Sequence, residues 1–312
     1  MLKNNYCDNV SAVLVTYNPN MEALHAAIRA VSEQVSDVFI VDNASSNFSL
    51  GWIDPFKGQA NAKLHLLRQE ENLGIGAAHN IGIRHAIEQG SKFVLLLDQD
   101  SQVGLDMVVR LRSAYALLDE KGFQVAALGP QYRDADNGML SRFVKVGMFR
   151  FVHCGCEDNA SPIDADFLVS SGSLFPVAAL EAVGLMDESL FIDHVDTEWC
   201  FRAKSKGLKI FGLCGAVMTH ALGEQRKEIW FLRKRTVPFH KPFRYYYMFR
   251  NSVLLYRRRY MPWRWKFVDI IRCLKMMIFF SWAAENRLTC LKMMCLGVID
   301  GLKGINGIRN GL

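Results

Sequence analysis

The first 120 residues alternate two kinds of segment, and this alternation constrains the fold more than any other feature. Residues 10–16 form a continuous apolar, β-branched run, which is typical of a strand buried on both faces. The segment that begins at Met21 repeats apolar residues at helical spacing. Further strand signals lie at 37–42, 62–69 and 92–97, and further helix signals at 74–90 and 105–122. The pattern predicts an α/β fold in which helices flank a mostly parallel, Rossmann-like central sheet.

Polar residues follow each of the four predicted strands. They are Thr16, Tyr17 and Asn18 after the first, Asp42 and Asn43 after the second, Asn72 after the third, and Asp98, Gln99 and Asp100 after the fourth. Open parallel sheets bind ligands at the carboxyl ends of their strands. The sequence therefore predicts a binding site at one rim of the sheet.

Asp98 and Asp100 are the strongest candidate metal ligands. The D-x-D pattern alone carries little weight, because it also occurs in a polar turn sequence at 134–136 and ahead of a strand at 164–166. The pair at 98–100 is the one that ends an apolar run, and strand alternation places both carboxylates on the same side. Hard oxygen ligands of this kind suit Mg²⁺ or Mn²⁺, which also bind substrate phosphates. A hydrogen-bonded turn is the alternative interpretation.

The segment 72–80 is a Gly-rich turn that leads into a helix. Gly74 and Gly76 allow the backbone to approach a ligand closely, and the helix N-terminus favours a phosphate group. The segment is neither G-x-G-x-x-G nor a Walker sequence. It is consistent with nucleotide binding or with an ordinary Gly-rich helix start.

Three carboxylates, Asp193, Asp196 and Glu198, lie within six residues at the start of a predicted helix. Neighbouring carboxylates raise one another's pKa toward the range of a general base. Helix capping by Asp196 or Thr197 is the alternative.

Two other residues allow a functional and a structural interpretation. Trp199 would either stack on a sugar or lie in the core. His220 follows an apolar strand, where a lone histidine is usually structural. It would join a metal site only if the fold brought it to Asp100.

Charge divides the chain at about residue 225. Residues 226–312 contain 19 Lys and Arg against four Asp and Glu, a net charge of +15, whereas the whole chain carries +6. We predict a catalytic domain at 1–225 and a basic, amphipathic, α-helical region at 226–312.

The basic region favours an anionic partner. Its longest uncharged run, 276–284, is well short of the ~20 residues that span a bilayer. A cationic, aromatic-rich, amphipathic segment is typical of helices that lie on an anionic membrane surface. Packing or homo-oligomerisation is the alternative, and single-stranded nucleic acid is the least favoured partner.

The cysteines favour a cytosolic compartment. The N-terminal residues lack the apolar region of a secretory signal. Eight cysteines are scattered along the chain, and the one close pair, Cys154 and Cys156, has neither zinc nor redox spacing. We therefore predict reduced thiols.

Taken together, the motifs resemble those of the GT-A inverting glycosyltransferases of family 2, and more narrowly the bacterial rhamnosyltransferases that build O-antigen and related polysaccharides. The matching stretches are VLVTYNPN, VDNASSN, ENLGIGAAHNIGI, LLLDQDS, SSGSLF, FIDHVDTEWCFRA, THALGE and FRYYYMFRNSVLL. They extend over about 13–255, some four-fifths of the chain. The combination of DQDS, DTEW and RYYYMFRN is the part that indicates rhamnose.

The resemblance implies a role for each matching position. In the donor site these are Thr16, Tyr17 and Asn18 around the nucleotide base, Asp42 at its ring edge, Asn72 and Gly74 beside the nucleoside, Asn80 behind the loop, and Asp98 at the ribose. The implied ligands of Mg²⁺ or Mn²⁺ are Asp98, Asp100 and His220. Asp196 would be the catalytic base. Val195 stands where relatives have a further acid, so Glu198 is the alternative base.

The implied reaction transfers L-rhamnose from dTDP-β-L-rhamnose to a hydroxyl of a lipid-linked glycan by a single displacement. The protein would lie peripherally on the cytoplasmic face of the inner membrane. A UDP-hexose or galactofuranose donor is one alternative. A catalytically inactive sugar-nucleotide-binding subunit is another.

Overall fold

The computed structural model describes residues 5–58, 60–134, 138–156, 161–220, 225–231, 233–284, 286–309 and 311, with the backbone alone at 220, 225–231 and 233–238. The helices are α1 Met21–Ser32, α2 Ile75–Glu88, α3 Met107–Glu120, α4 Val177–Val183, α5 Val195–Ser205, α6 Pro242–Tyr256, α7 Trp263–Ala283 and α8 Arg287–Lys303. The strands are β1 Cys7–Thr16, β2 Val35–Asp42, β3 Lys63–Arg68, β4 Phe93–Asp98, β5 Gln102–Val103, β6 Val125–Asp134, β7 Phe143–Val146, β8 Phe151–Cys154, β9 Pro162–Ala165, β10 Leu174–Pro176, β11 Lys209–His220, β12 Gln225–Phe231 and β13 Arg233–Phe239.

A nine-stranded mixed sheet forms the centre of the molecule. Along the sheet the order is β3-β2-β1-β4-β10-β6-β11-β5, and β9 pairs with β11. The four predicted strands β1 to β4 are mutually parallel, as expected. Short β10 runs antiparallel to both of its neighbours, β4 and β6, and so joins the first half of the sheet to the second. The predicted α/β fold is confirmed.

Strand alternation separates two hydrophobic cores, one on each face of the sheet. In β4, Leu95 and Leu97 belong to the core covered by α1 and α3, whereas Val94 and Leu96 belong to the other. Helices α2 and α5 cover the second core. A run that is apolar at every position is stable here because both of its faces are buried.

The second core extends into the C-terminal region. Leu255 of α6 and Trp265 of α7 pack in the same cluster as Trp199 of α5. Helix α8 approaches α6 closely at Gly297, where an added Cβ would lie 2.4 Å from the Tyr246 carbonyl oxygen. Core packing therefore continues across the predicted boundary at 225/226, and the division into two domains stays an interpretation of charge.

The predicted N-cap of α5 was wrong. His194, in the left-handed region at φ 64°, is the N-cap of α5, and Asp196 is the second residue of that helix. The predicted α-helical C-terminal region contains α6, α7 and α8. The antiparallel hairpin β12–β13 precedes these helices, and the sequence did not indicate it.

Trp199 lies in the core and does not form a sugar-stacking surface. Its side chain is fully buried, and its indole N–H donates a hydrogen bond to the Gly184 carbonyl oxygen (2.7 Å). A buried ring of this kind is not available to a sugar.

The prediction of reduced thiols is wrong for one pair. Cys156, just ahead of β9, and Cys214 in β11 form a disulfide across 58 residues of sequence, with Cα atoms 6.0 Å apart. Pairing of β9 with β11 brings the two together, which local cysteine spacing could not indicate. Because disulfides persist mainly in oxidising compartments, the cysteines no longer support a cytosolic location. The other six cysteines are free.

Among the described residues, no helix is long and apolar enough to cross a membrane.

Candidate active site

A cavity of about 450 Å³ lies at the carboxyl ends of the parallel strands. Its walls are formed by Val15, Tyr17, Asn43, Asn72, Gly74, Ile75, Asp98, Gln99, Asp100, Phe191, Ile192, Phe243 and Arg244. Each of the four predicted strands therefore has a residue at or just after its carboxyl end in the cavity wall: Tyr17 for β1, Asn43 for β2, Asn72 for β3 and Asp98 for β4. Of the predicted site residues, the structure brings Tyr17, Asn72, Gly74, Asp98 and Asp100 together.

The end of β4 is fixed by hydrogen bonds from two directions. The Asp98 backbone N–H donates to Ser171 Oγ (3.0 Å), and the Gln99 side chain accepts from the Tyr17 backbone N–H (2.8 Å). These bonds hold the turn at 98–100 against the end of β1. Both aspartates line the cavity, so the two carboxylates face one space.

The donor chemistry of Asp98 and Asp100 fits a hard divalent cation. Among the side chains that the structure describes, no group of three His, Cys, Asp or Glu residues is arranged to hold a metal ion. The predicted third ligand, His220, ends β11, and its side chain lies outside the described part of the chain.

Asn72 organises the Gly-rich loop. Its Oδ1 accepts hydrogen bonds from Asn43 Nδ2 (2.9 Å) and from the Gly74 backbone N–H (3.0 Å). Gly74 has φ +84°, and an added Cβ would lie 2.4 Å from the Phe191 carbonyl oxygen. Only glycine fits there, because the loop at 72–74 and the segment at Phe191 touch backbone to backbone.

Four predicted donor-binding side chains do not line the cavity. Thr16 and Asp42 are fully buried, and Thr16 Oγ1 donates to Asp42 Oδ1 (3.2 Å). Asn18 accepts hydrogen bonds from the Ser46 backbone and hydroxyl (both 2.8 Å). They brace the loops that follow β1 and β2, and their direct contact with a nucleotide stays a prediction.

The fourth of these is Asn80, which is also buried. Its Nδ2 donates hydrogen bonds to the Met186 carbonyl oxygen (2.9 Å) and to Glu188 Oε1 (2.8 Å). Its Oδ1 accepts a hydrogen bond from the Met186 backbone N–H (2.9 Å). It thereby fastens α2 to the segment at 186–188. This position fits the supporting role that the resemblance implied.

Asp196 lies partly buried in the first turn of α5. Burial, with a smaller contribution from the nearby charge of Asp193, raises the pKa of its carboxyl to about 6, against the opposing effect of hydrogen bonds from Thr197. Burial, and then the charges of Asp196 and Asp98, raise the pKa of the Tyr132 phenol. Because both carboxylates act on Tyr132, Asp196 lies near the end of β4, although it is not part of the cavity wall.

Glu198 makes contacts with the C-terminal region that the sequence did not indicate. Its side chain is fully buried, and its carboxylate pairs with Arg202 (2.8 Å) and Arg258 (3.0 Å) and accepts a hydrogen bond from the Tyr260 hydroxyl. These contacts join α5 to the C-terminal region. The alternative of Glu198 as the catalytic base stays a prediction.

The loop ahead of Asp196 is strained. Three non-glycine residues, Phe191, Asp193 and His194, have φ between 63° and 64°. Such conformations persist only where neighbouring structure holds them, and they cluster at functional sites.

Helix α6 holds this loop. The Asn251 amide donates to three carbonyl oxygens, those of Leu190 (2.9 Å), Ile192 (2.7 Å) and Asp193 (2.9 Å). Arg250 donates to the Leu190 carbonyl as well (3.0 Å). Both side chains are fully buried, so their hydrogen bonds are protected from water.

Sequence reasoning missed Arg244, which brings a cation into the cavity wall. It lies in the first turn of α6 and forms two contacts with the Asp193 carboxylate (2.5 and 3.4 Å). It belongs to the stretch FRYYYMFRNSVLL, whose match to the family was noted without a role for its arginines. The signal was therefore present, but the basic region was assigned to a membrane as a whole.

The sequence of this chain matches a known protein family and two named relatives. The family model for glycosyl transferase family 2 matches residues 11–180. The dTDP-rhamnosyl transferase RfbF of Shigella flexneri is 33% identical over 302 residues, which cover 96% of this chain and 97% of its own. The low-salt glycan biosynthesis hexosyltransferase Agl10 of Haloferax volcanii is 24% identical over 221 residues, 67% of this chain and 66% of its own.

Solved structures show the same fold at low sequence identity. GalNAc-T7 with UDP, GalNAc and Mn²⁺ has a TM-score of 0.60 at 13% identity, over 95% of this chain and 56% of that chain. Residues 1–349 of S. aureus TarS in complex with UDP-GlcNAc have a TM-score of 0.59 at 16% identity, over 95% of this chain and 81% of that chain. The predicted GT-A fold is confirmed.

The fold and these matches define a glycosyltransferase. The chain belongs to glycosyl transferase family 2, as its motifs predicted.

Proposed function

We propose that the protein transfers L-rhamnose from dTDP-β-L-rhamnose to a hydroxyl of a lipid-linked glycan, in the synthesis of O-antigen or a related polysaccharide. The observation that carries the proposal is the cavity in which Asp98, Asp100 and Arg244 meet the Asn72–Gly74 loop at the ends of the parallel strands. The UDP-GlcNAc bound to TarS, the UDP and GalNAc bound to GalNAc-T7, and the name of the Shigella relative support the choice of donor class.

The diphosphate of the donor would lie between groups of opposite charge. Asp98 and Asp100 would hold Mg²⁺ or Mn²⁺, with His220 as the third ligand that the resemblance implies. A divalent ion there offsets the negative charge that builds on the leaving diphosphate. Arg244 supplies a second cation on the same wall of the cavity. The planar guanidinium group can donate two parallel hydrogen bonds to phosphate oxygens. For this, Arg244 would have to give up part or all of its contact with the Asp193 carboxylate.

Asp196 would remove the proton of the attacking hydroxyl. Its pKa of about 6 keeps the carboxylate ionised near neutral pH but makes it more basic than an exposed aspartate. The acceptor oxygen forms the new bond to the anomeric carbon as the bond to the diphosphate breaks on the opposite face. The proton passes to Asp196, dTDP leaves, and the configuration inverts without a covalent enzyme intermediate.

The main test is transfer by Asp196→Asn. We expect the rate to fall by at least about a hundredfold, within the contribution typical of a general base. Binding of dTDP, followed by thermal shift, should not change, because the amide has nearly the same shape. Full turnover by the variant would remove Asp196 from this role.

The alternative donor is tested with the wild-type protein. We expect dTDP-rhamnose to raise the melting temperature more than UDP-hexoses do at the same concentration, because a ligand that binds only the folded state stabilises it more when it binds more tightly. A larger shift with UDP-GlcNAc would favour the second candidate, a UDP-sugar transferase like the TarS neighbour in its bound ligand. Binding of a donor without turnover, with either metal, would indicate an inactive subunit.

We also propose that the protein works at the cytoplasmic face of the inner membrane. The support is the net charge of +15 on residues 226–312, which would draw this region to anionic headgroups near a lipid-linked acceptor.

A further inference from the structure

The outward face of α7 is apolar along its whole length. The residues that form it, termed here the α7 stripe, are Trp263, Phe267, Ile270, Leu274, Ile278 and Trp282. They recur every three or four positions and so share one side of the helix. Each is between 41% and 74% exposed. A surface helix normally presents polar residues on this side, so α7 has the reverse pattern.

The stripe continues onto a second part of the chain. The turn between β7 and β8 exposes Met148 and Phe149, and the Phe149 ring meets the Phe267 ring edge-on, with centroids 6.0 Å apart. Two segments more than 100 residues apart in sequence thus form one apolar surface. Contiguous exposed apolar surface of this kind marks an interaction site.

The exposed charged residues of α7 and α8 that the structure describes are all basic. Helices α7 and α8 contain two acidic residues, Asp269 and Asp300, and both are buried. Asp269 pairs with Arg272 (2.7 Å), and Asp300 pairs with Arg309. The exposed charged residues of the two helices are Arg264, Lys275, Arg287, Lys292 and Lys303. Both carboxylates of the two helices are thus neutralised inside the protein, and the exposed charged side chains that the structure describes on these helices are cations.

We propose that the α7 stripe and the β7–β8 turn insert into an anionic lipid bilayer. An apolar face flanked by cations matches the two layers of a membrane surface, since the apolar groups enter the acyl boundary and the cations meet headgroup phosphates. A second copy of the chain would bring like charges together around the same face. Nucleic acid would require cations, not Trp and Ile, at the centre of the surface.

This inference deepens the membrane association proposed above by assigning it to one surface. The test is co-flotation of the full chain with vesicles of phosphatidylglycerol and phosphatidylcholine. The variant Leu274→Glu/Ile278→Glu should partition at least about tenfold less than wild type, because two buried aliphatic side chains are lost from the bilayer. The matched control is Leu105→Glu, which changes an equally apolar residue, 89% exposed, in the loop before α3 and should float like wild type.

Tryptophan quenching by brominated lipids gives a second measurement. Trp263 and Trp282 are exposed, whereas Trp52, Trp199 and Trp265 are buried. Vesicles with brominated acyl chains should quench the wild type, and the double variant Trp263→Phe/Trp282→Phe should lose most of that quenching while it still floats.

Three results would overturn the inference. They are wild-type protein that does not float with anionic vesicles, an α7 variant that floats as well as wild type, and a dimer that the α7 variant abolishes in the absence of lipid. Binding of dTDP by the same variants separates the two proposals. A variant that no longer floats but binds dTDP normally supports the surface assignment, whatever donor and acceptor the enzyme uses.

Discussion

Helices α6 and α7 belong to the same basic stretch of sequence, yet they place their side chains in opposite ways. Helix α6 buries Arg250 and Asn251, two strongly polar residues, whereas α7 exposes Trp282 and Ile278. Each arrangement reverses the usual preference of these residue types. The difference is whether the chain itself supplies the partner. The α6 residues bond to backbone carbonyls of the loop ahead of Asp196, whereas the α7 stripe meets the Phe149 ring at Phe267 and otherwise stays exposed.

The comparison predicts a large stability loss from α6. In Arg250→Ala, the unfolding free energy should fall by about 4 kcal/mol, because the change leaves a cavity, removes the hydrogen bond to the Gly307 carbonyl oxygen and leaves the Leu190 carbonyl oxygen with Asn251 alone. Urea denaturation measures the loss. The control is Arg259→Ala, an exposed arginine after the same helix, which should change stability by less than about 0.5 kcal/mol. Equal losses in the two variants would show that the buried contacts of Arg250 are not stabilising.

Asn251→Ala sharpens the comparison, because it removes three hydrogen bonds to the strained loop without removing a charge. We expect a loss of about 2 kcal/mol in stability. We also expect a slower transfer rate with little change in dTDP binding, because the loop leads directly into Asp196. A variant that lost stability but kept the wild-type rate would limit Asn251 to a structural role.

His79 offers the opposite case, a buried polar side chain without a partner. Neither ring nitrogen has a hydrogen-bond partner, and burial lowers the pKa to about 4 from an ordinary 6.5. The unfolded chain therefore binds a proton first as the pH falls, and stability decreases below about pH 6.5. Between pH 8 and pH 5 the histidine should cost about 2 kcal/mol.

Comparison of His79→Leu with wild type at both pH values isolates this residue from every other titrating group. The variant should lose about 2 kcal/mol less than wild type on acidification. An identical pH dependence in the two proteins would mean that His79 is hydrogen-bonded or solvated in solution.

The smallest expected effect is the pH profile of catalysis. Asp196 accepts a proton only when it is ionised, so kcat/KM should fall about tenfold for each pH unit below about 6 and level off above it. Loosening the loop with Asn251→Ala should expose the carboxyl to water and move this inflection toward lower pH. An inflection near that of an exposed aspartate in the wild type would argue against a buried base.

The parallel half of the fold could be predicted from sequence because its information is local. Each of β1 to β4 is a single apolar run, and the rule that ligands bind at carboxyl strand ends needs only the strand order along the chain. That rule located Asn72, Asp98 and Asp100 on one cavity. The rule could not predict that Thr16 and Asp42 are buried, because their burial depends on how the loops after β1 and β2 fold over the strand ends.

The parts that escaped prediction depend on distant segments. Arg244 reaches the cavity only because α6 packs on the loop at 190–194. Glu198 contacts Arg258 and Tyr260, which lie about 60 residues further along the chain, and nothing in the sequence indicated these contacts. The Cys156–Cys214 bond likewise follows from the pairing of β9 with β11. The spacing of residues along the sequence does not indicate contacts between such distant segments.

The bonds from Asn251 to the loop ahead of Asp196 also bear on how the enzyme is made. A ribosome that has released only the first 225 residues has completed every strand of the large sheet, with Asp98, Asp100 and Asp196 all present. It has not yet supplied the amide that holds Phe191, Asp193 and His194 in their left-handed conformations. We therefore expect transfer of sugar to begin only after residues 226–312 have been synthesised and have packed against the loop ahead of Asp196.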